Sequence, residues 1–270
     1  MARLPSPRTL LPLSLFVIFL LAFLLAFPLC LLAGDGQQAN PPSPVPNPSA
    51  SAGDLEEHGD VLRAQKRYLD AVDFYAAAIA KHPTALLWNK EGMAYLLLKK
   101  SPKATKCFSR AIKADRNDPD GYNNRGYMEY QDKNYNKAIK YYQKALALRP
   151  NDPIFHYNMG AACFGKHEYG LAAQQYRAAY ALDPDIFNRV SRIGVMVQSS
   201  SPEDRAAFSF MVAKMCAQAG DFDRSLEFLR KAMEEGYKNI KKVYTDSEFA
   251  TLRTDKRFEE LMSQKPQAIP

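Results

Sequence analysis

The sequence predicts an all-α fold, an α-solenoid of repeated helix-turn-helix units. Three observations predict it. Several residue types recur every 33 or 34 positions, each period holds two helix-like stretches, and the second stretch carries an apolar stripe at three- and four-residue steps, as in Tyr135, Ala138, Tyr142 and Ala145. One helix pair cannot bury such a stripe alone, so consecutive units are expected to stack into a continuous core.

Four columns of residues keep this period without gaps inside a unit. Small residues occupy three of the columns and aromatic residues the fourth, which suits closely packed antiparallel helices, where a small side chain makes room for a ring. The columns are Gly59, Gly92, Gly126 and Gly160; Ala71, Ala104, Ala138 and Ala172; Tyr75, Phe108, Tyr142 and Tyr176; and Ala78, Ala111, Ala145 and Ala179.

The spacing also predicts where the array is interrupted and where it ends. Residues 54–186 hold four units, 187–205 form an irregular insert, 206–236 form a fifth unit with Ala213 in place of the glycine, and 237–270 form a C-terminal cap. Ser201 and Pro202 suit a helix start after the insert, and Thr245 with Glu248 suits a capping box. The tail carries an apolar stripe of Phe249, Leu252, Phe258 and Leu261.

These units resemble the tetratricopeptide repeat (TPR) family, in an exported or membrane-anchored bacterial form. The residues that carry the resemblance are Trp88, Gly92, Tyr95, Ala104, Phe108 and Ala111 in one unit, and Gly126, Tyr135, Ala138, Tyr142, Ala145 and Pro150 in the next. Arg116 and Ser101 depart from the pattern, where other units have proline and tyrosine. The resemblance implies a right-handed solenoid.

The resemblance further implies a concave groove, lined by the first helix of each unit, that takes a peptide or a helix of a partner protein. Here that groove would present Asn89, Met93, Leu96, Asn123, Tyr127, Tyr130, Tyr157 and Phe164. The carboxylate-clamp subtype is not matched, since the acidic Glu56 and Asp60 stand where its first basic residues are expected.

The N-terminal region reads as a leader followed by a tether. Residues 1–33 are predicted to be a signal or transmembrane anchor, because the stretch from Thr9 to Gly34 carries no charge and follows two arginines. Residues 34–53 are predicted to be a proline-rich disordered linker. We therefore expect a membrane-anchored protein whose body lies on the extracytoplasmic, periplasmic side, or a secreted one if the leader is cleaved.

Composition and motifs argue against enzymatic and nucleic-acid functions. A formal charge of +7 is spread along 270 residues, and no aromatic and arginine platform suggests base stacking. Phosphate-binding loops and hydrolase motifs are absent from the sequence. The body holds an odd number of cysteines, Cys107, Cys163 and Cys216, which read as buried free thiols.

We therefore expect a non-enzymatic protein-binding adaptor or scaffold of the cell envelope, without cofactor. Two alternatives stay open on the sequence. One is a self-associating scaffold, a homo-oligomer joined through Phe187 to Ser201. The other is a metal-binding or enzymatic protein that uses His156, Cys163 and His167, of which the last two form an i,i+4 pair. Packing is the favoured reading of that trio, and a solvated outer face is favoured for Lys133, Lys137, Lys140 and Lys144.

Overall fold

The computed structural model describes residues 44–187 and 202–264, which hold eleven α-helices and no strand. The residues from Val45 onward cluster as one unit, and the description below concerns that unit. The helices are α1 (Ala52–Ala64), α2 (Tyr68–Lys81), α3 (Ala85–Leu97), α4 (Ser101–Ala114), α5 (Pro119–Gln131), α6 (Tyr135–Leu148), α7 (Pro153–Gly165), α8 (Tyr169–Leu182), α9 (Pro202–Gln218), α10 (Phe222–Glu234) and α11 (Lys256–Gln264).

The first helix of each of the first four units begins at a side-chain cap. Ser51 forms a capping box with Asp54, so α1 starts at Ala52, inside the stretch expected to be linker. Thr84, Asp118 and Asp152 cap α3, α5 and α7 by accepting hydrogen bonds from backbone N–H groups of the first turn. These side chains satisfy donors that a helix start leaves free, which fixes where each unit begins.

The turn inside each unit needs a left-handed residue. Lys66, Lys99, Lys133 and His167 have φ between 57° and 65°, and Gly220 takes the corresponding place with φ of 80°. The next residue donates its N–H back into the preceding helix, as Arg67 does to the carbonyl of Leu62, which is the closing bond of a Schellman turn. The second helix therefore starts at a fixed angle to the first.

The core of each unit forms where the glycine column meets the aromatic column. Tyr75, Phe108, Tyr142 and Tyr176 are at most 1% exposed, and each ring lies against the glycine of the first helix in its own unit. The alanine columns are fully buried as well. The predicted packing of rings onto small residues is confirmed.

The fifth unit and the tail close the array. Ala213, Ser225, Leu229 and Ala232 are buried between α9 and α10. The tail then forms three short 3₁₀-helices before α11, at Ile240–Tyr244, Ser247–Phe249 and Leu252–Thr254. The apolar stripe predicted for the tail is buried, at 0% exposure for Phe249 and Leu252, 4% for Phe258 and 3% for Leu261.

The capping box predicted at Thr245 and Glu248 is wrong. The Thr245 hydroxyl donates to the carbonyl of Lys242, and the chain continues into a 3₁₀-helix that begins at Ser247. Glu248 instead pairs with Lys214 of α9 at 3.3 Å. The local pattern assigned the Glu248 carboxylate to a helix start, but that carboxylate instead forms an ion pair with a distant part of the chain.

Several sequence predictions fall outside the described residues. They are the leader at 1–33, most of the linker, the helix cap at Ser201, the segment from residue 188 to residue 201 that was expected to support self-association, and the end of the chain after residue 264. Within the ranges 44–187 and 202–264, no helix is long and apolar enough to cross a membrane.

Candidate protein-binding surface

The first helices of consecutive units meet along one face, where asparagines join them. α3 contacts α5, and α5 contacts α7. Asn124 donates to the side-chain oxygen of Asn89 at 3.2 Å, and Asn158 donates to that of Asn123 at 2.9 Å. Asn89 also donates to the capping carboxylate of Asp118 at 2.6 Å. Buried amides that are bonded in this way hold three units in a fixed relation.

At the junction of α1 and α3, charges take the place of these amides. The Lys90 ammonium lies 2.5 Å from both the Glu56 and the Asp60 carboxylates. Asp60 also accepts a hydrogen bond from the Tyr75 hydroxyl at 2.7 Å, and Arg63 donates to that hydroxyl. An ion-paired network therefore joins the first helices of the first two units.

The ion pairs shift the pKa values of this network in favour of the charged forms. Burial alone would raise the pKa of Asp60, but the hydrogen bonds from Lys90 and Tyr75 outweigh it and lower that pKa. Burial would lower the pKa of Lys90, and its two carboxylate partners raise it instead. The Lys90 ammonium is therefore charged and already paired with two carboxylates, so it is not free to bind the carboxylate of a ligand.

Apolar side chains lie half-buried on the first helices α3 and α5. Met93, Leu96, Tyr127 and Tyr130 are all of intermediate exposure. The first three pack at the edge of a small core that contains Phe108 and Met128. Burial raises the pKa of the Tyr127 hydroxyl and that of Tyr130. We call Met93, Leu96, Tyr127 and Tyr130 the groove patch.

Comparison with known families identifies the repeat. The family described as "Tetratricopeptide repeat" matches residues 56–119, and the family described as "TPR repeat" matches residues 126–167. Residues 56–119 and 126–167 therefore hold tetratricopeptide repeats. The first match covers most of α1 and all of α2, α3 and α4, and the second runs from the middle of α5 to the end of α7.

Two solved structures are similar to the chain at low sequence identity. YrrB, described as a TPR protein with an unusual peptide-binding site, is 18% identical, with 76% of this chain and 92% of that chain covered and a TM-score of 0.46. MamA from residue 41 to its end, from Desulfovibrio magneticus RS-1, is 16% identical, with 68% and 94% covered and a TM-score of 0.49. No curated protein sequence matches the chain.

Four of the eight predicted groove residues are buried within the tetratricopeptide array. Tyr157 is 1% exposed and Phe164 is 5% exposed. The Tyr157 ring packs on Tyr176 at 5.3 Å and on Phe187 at 5.9 Å, because the chain after α8 returns toward α7. Tyr157 is therefore a core residue and not an accessible groove residue. Phe164 packs edge-on against Phe208 of α9.

The two predicted groove asparagines are structural as well. Asn89 is 7% exposed and Asn123 is 9% exposed, and the side chains of both form hydrogen bonds with neighbouring repeats. They join the helices, and little of either side chain is exposed to a ligand. The groove prediction is thus reduced to the groove patch, which remains at the surface.

The metal alternative conflicts with the placement of its three residues. The His156 ring nitrogens bond the Gln175 side chain and the Pro150 carbonyl, each at 2.8 Å. His167 occupies the exposed left-handed turn and bonds the Tyr169 hydroxyl. Burial raises the pKa of the Cys163 thiol to about 11. The described ranges hold no cluster of three such side chains that could bind a metal ion.

The three body cysteines are free and buried, as predicted. Cys107 differs from the others because its thiol donates to a buried carboxylate, Glu91, at 3.2 Å. Glu91 is 7% exposed, and burial raises its pKa despite the thiol and the nearby Arg110 and Lys103. A raised carboxyl pKa in the fold means that stability is complete at acid pH and is lost as the pH rises through that pKa.

Glu91→Gln should therefore stabilise the protein near neutral pH. We expect a rise in melting temperature of about 2–4 °C at pH 7.5, as for about 1 kcal/mol in a protein of this size, and a smaller difference at pH 4. Gln keeps an acceptor for the Cys107 thiol but has no charge to bury. Thermal unfolding at the two pH values, with the exposed Glu57→Gln as control, measures this. A wild type more stable than Glu91→Gln at pH 7.5 contradicts it.

Sequence reasoning assigned Asn89 and Asn123 to the groove and missed that asparagine columns join the units. It also missed the lysine network. Asn89 and Asn123 occupy equivalent positions of successive units, and so do Asn124 and Asn158. A search for polar columns at the repeat period would have found these pairs. Lys90 gives no such signal, because its partners Glu56 and Asp60 recur in no other unit.

Proposed function

We propose that this protein is a non-enzymatic adaptor that binds a peptide or helix of a partner protein along α3 and α5. The groove patch carries the proposal. It places two aliphatic or thioether side chains and two tyrosines on neighbouring first helices, and all four keep part of their surface exposed. Aromatic and methionine side chains are enriched in protein interfaces, and tyrosine is among the residues that most often dominate the binding free energy.

The rigidity of the neighbouring polar residues supports this proposal. Asn89–Asn124 and Asn123–Asn158 hold α3, α5 and α7 together, so the groove patch is presented on a fixed surface. A preorganised surface loses little conformational entropy when it binds.

Charge narrows the class of ligand. Lys90, the lysine on this face of α3, is held by Glu56 and Asp60. A ligand that depends on its terminal carboxylate would find acidic groups and an occupied cation at this end. We therefore propose an internal apolar or aromatic segment as the ligand of the groove patch.

The proposal includes a place in the cell envelope. The uncharged stretch from Thr9 to Gly34, followed by a proline-rich tether, suits a body held near a membrane surface on the extracytoplasmic side. Partners would then be other envelope proteins. Protease protection in intact cells, with an epitope at each end of the chain, tests this part separately.

Met93→Ala with Tyr127→Ala should weaken retention of the partner by the full-length protein in captures from native membranes. We expect at least about a tenfold loss, as for one interface hot spot of about 1.4 kcal/mol. Tyr130 is left intact because its ring packs against Tyr135 at 5.4 Å. The control is Leu148→Ala on α6, whose side chain is 40% exposed.

Circular dichroism and melting curves accompany each capture. A partner kept by wild type and by Leu148→Ala, and lost from a folded double variant, supports the groove patch. Equal retention by all three proteins moves the site elsewhere on the array.

A further inference from the structure

A cavity of about 510 Å³ lies between α8 and α9, outside the groove patch. Its lining comes from four places: Phe164 at the end of α7, α8, α9, and the first two 3₁₀-helices of the tail with the residues before them. The volume falls in the range of sites that bury a small ligand or a few side chains. A cavity of this size between two helices needs a structural explanation.

The interruption of the array explains why the space between α8 and α9 is not filled. In the earlier units each second helix packs closely on the next first helix, whereas α8 and α9 are separated by the predicted insert and pack less extensively. Gly170 on α8 marks the gap, since a Cβ added there would meet no atom within 4 Å. Ala173, one turn further on, also lines the cavity.

The floor of the cavity is aromatic and thioether. Phe210 stacks on Tyr237 with ring centroids 4.4 Å apart. Met211 and Met215 of α9 lie beside them, and Phe164 of α7 completes the floor. Such a surface accepts an aromatic or aliphatic side chain, and methionine adapts to its shape.

The rim is cationic. Asp246 and Glu248 both form ion pairs with Lys214, at 2.8 and 3.3 Å. The two carboxylates of the lining therefore share one ammonium group. Arg177 and Lys242 line the same cavity and are exposed, and no carboxylate pairs with either in the part of the chain that the structure describes. An anionic group on the ligand would complete this rim.

The rim also carries free amides. Gln218 and Asn239 are exposed, and neither side chain makes a hydrogen bond within the described ranges. Amide groups of this kind bond the main chain of a peptide, which a fatty acid does not have. We propose that the cavity is a second protein-binding site that takes a partner segment in which an aromatic or aliphatic side chain stands next to a carboxylate.

Fluorescence anisotropy with the full-length protein tests the proposal. The probe is a fluorescein-labelled, amidated peptide, Gly-Ser-Gly-Phe-Asp-Gly-Ser, with matched peptides in which Ala replaces Phe or Asn replaces Asp. We expect the Phe-Asp peptide to bind at least about fivefold more tightly than either matched peptide. Labelled methionine methyl groups report the location, since Met211 and Met215 should shift on binding.

Variants then assign the binding to this cavity. Gly170→Phe fills the open space and should weaken binding at least about tenfold, as should Arg177→Glu with Lys242→Glu. Lys241→Glu, a neighbouring exposed lysine that does not line the cavity, should leave binding unchanged. The groove variant Met93→Ala with Tyr127→Ala should also bind normally, which separates this site from the proposed function.

Three results would overturn the proposal. The first is equal binding of all three peptides. The second is unchanged binding of the Phe-Asp peptide by a Gly170→Phe protein whose melting temperature is also unchanged. The third is displacement of the Phe-Asp peptide by decanoate, if decanoate binds with much higher affinity than the peptide. The last result would mark the cavity as a site for free amphiphiles.

Discussion

Phe249→Ala should lower the free energy of unfolding of the C-terminal part of the array by about 3–5 kcal/mol, the loss typical of a fully buried phenylalanine. Phe249 is 0% exposed, and its ring lies 5.5 Å from that of Phe210 on α9. The short 3₁₀-helix that carries it has little stability of its own. The position of this 3₁₀-helix therefore depends on the Phe249 ring, which packs the tail against the fifth unit.

Tyr244→Ala is the matched control for Phe249→Ala. Tyr244 is an aromatic residue of the same tail, but it is 54% exposed, and we expect a loss of less than about 1 kcal/mol. Hydrogen exchange measures both, because a repeat array opens unit by unit. Phe249→Ala should deprotect α9 and α10 while α1 to α4 stay protected. Unchanged protection in α9 and α10 contradicts the role of the tail as a cap.

Gly126→Ala should destabilise the protein by about 1–3 kcal/mol, the usual cost of overpacking a core. A Cβ at Gly126 would lie 2.7 Å from Cε1 of Tyr142 and 2.8 Å from Cδ1. The Tyr142 ring is 1% exposed and cannot move aside. The clash outweighs the gain in helix propensity of up to about 1 kcal/mol that alanine brings elsewhere.

Gly170→Ala is the control that isolates the clash in Gly126→Ala. Gly170 lies in the first turn of α8 with open space around it, so alanine should stabilise by about 0.5–1 kcal/mol. Gly160→Ala should be intermediate, since its nearest ring atoms are 3.0 Å away. Chemical denaturation gives all three values. A Gly126→Ala protein as stable as Gly170→Ala would mean that the ring and the glycine do not pack as described.

Repetition made most of the fold predictable from sequence. Gly126 and Tyr142 belong to columns that recur four times, so their burial follows from the period alone. The tail stripe of Phe249 and Leu252 was readable for a simpler reason, because apolar residues at helical spacing are buried when the surrounding segment is polar.

The candidate site was less predictable because the accessibility of a helix face depends on distant parts of the chain that pack against it. Tyr127 and Tyr157 belong to the first helices of successive units, and both were predicted to line the groove. The Tyr157 ring is covered by Tyr176 of α8 and by Phe187 from beyond α8, and no local pattern reports the contact with Phe187. The prediction for Glu248 was wrong for the same reason, since its partner Lys214 lies on another helix, far back along the chain.

The adaptor hypothesis is tested most directly by photo-crosslinking in native membranes. A benzophenone amino acid placed at Tyr127 of the full-length protein would react with any partner bound on the groove patch, and the same amino acid at the exposed Leu148 of α6 would serve as the control. We predict one specific adduct from position 127, absent from position 148 and reduced by Met93→Ala. Adducts from position 148 alone, or the same adducts from both positions, would contradict binding at the groove patch.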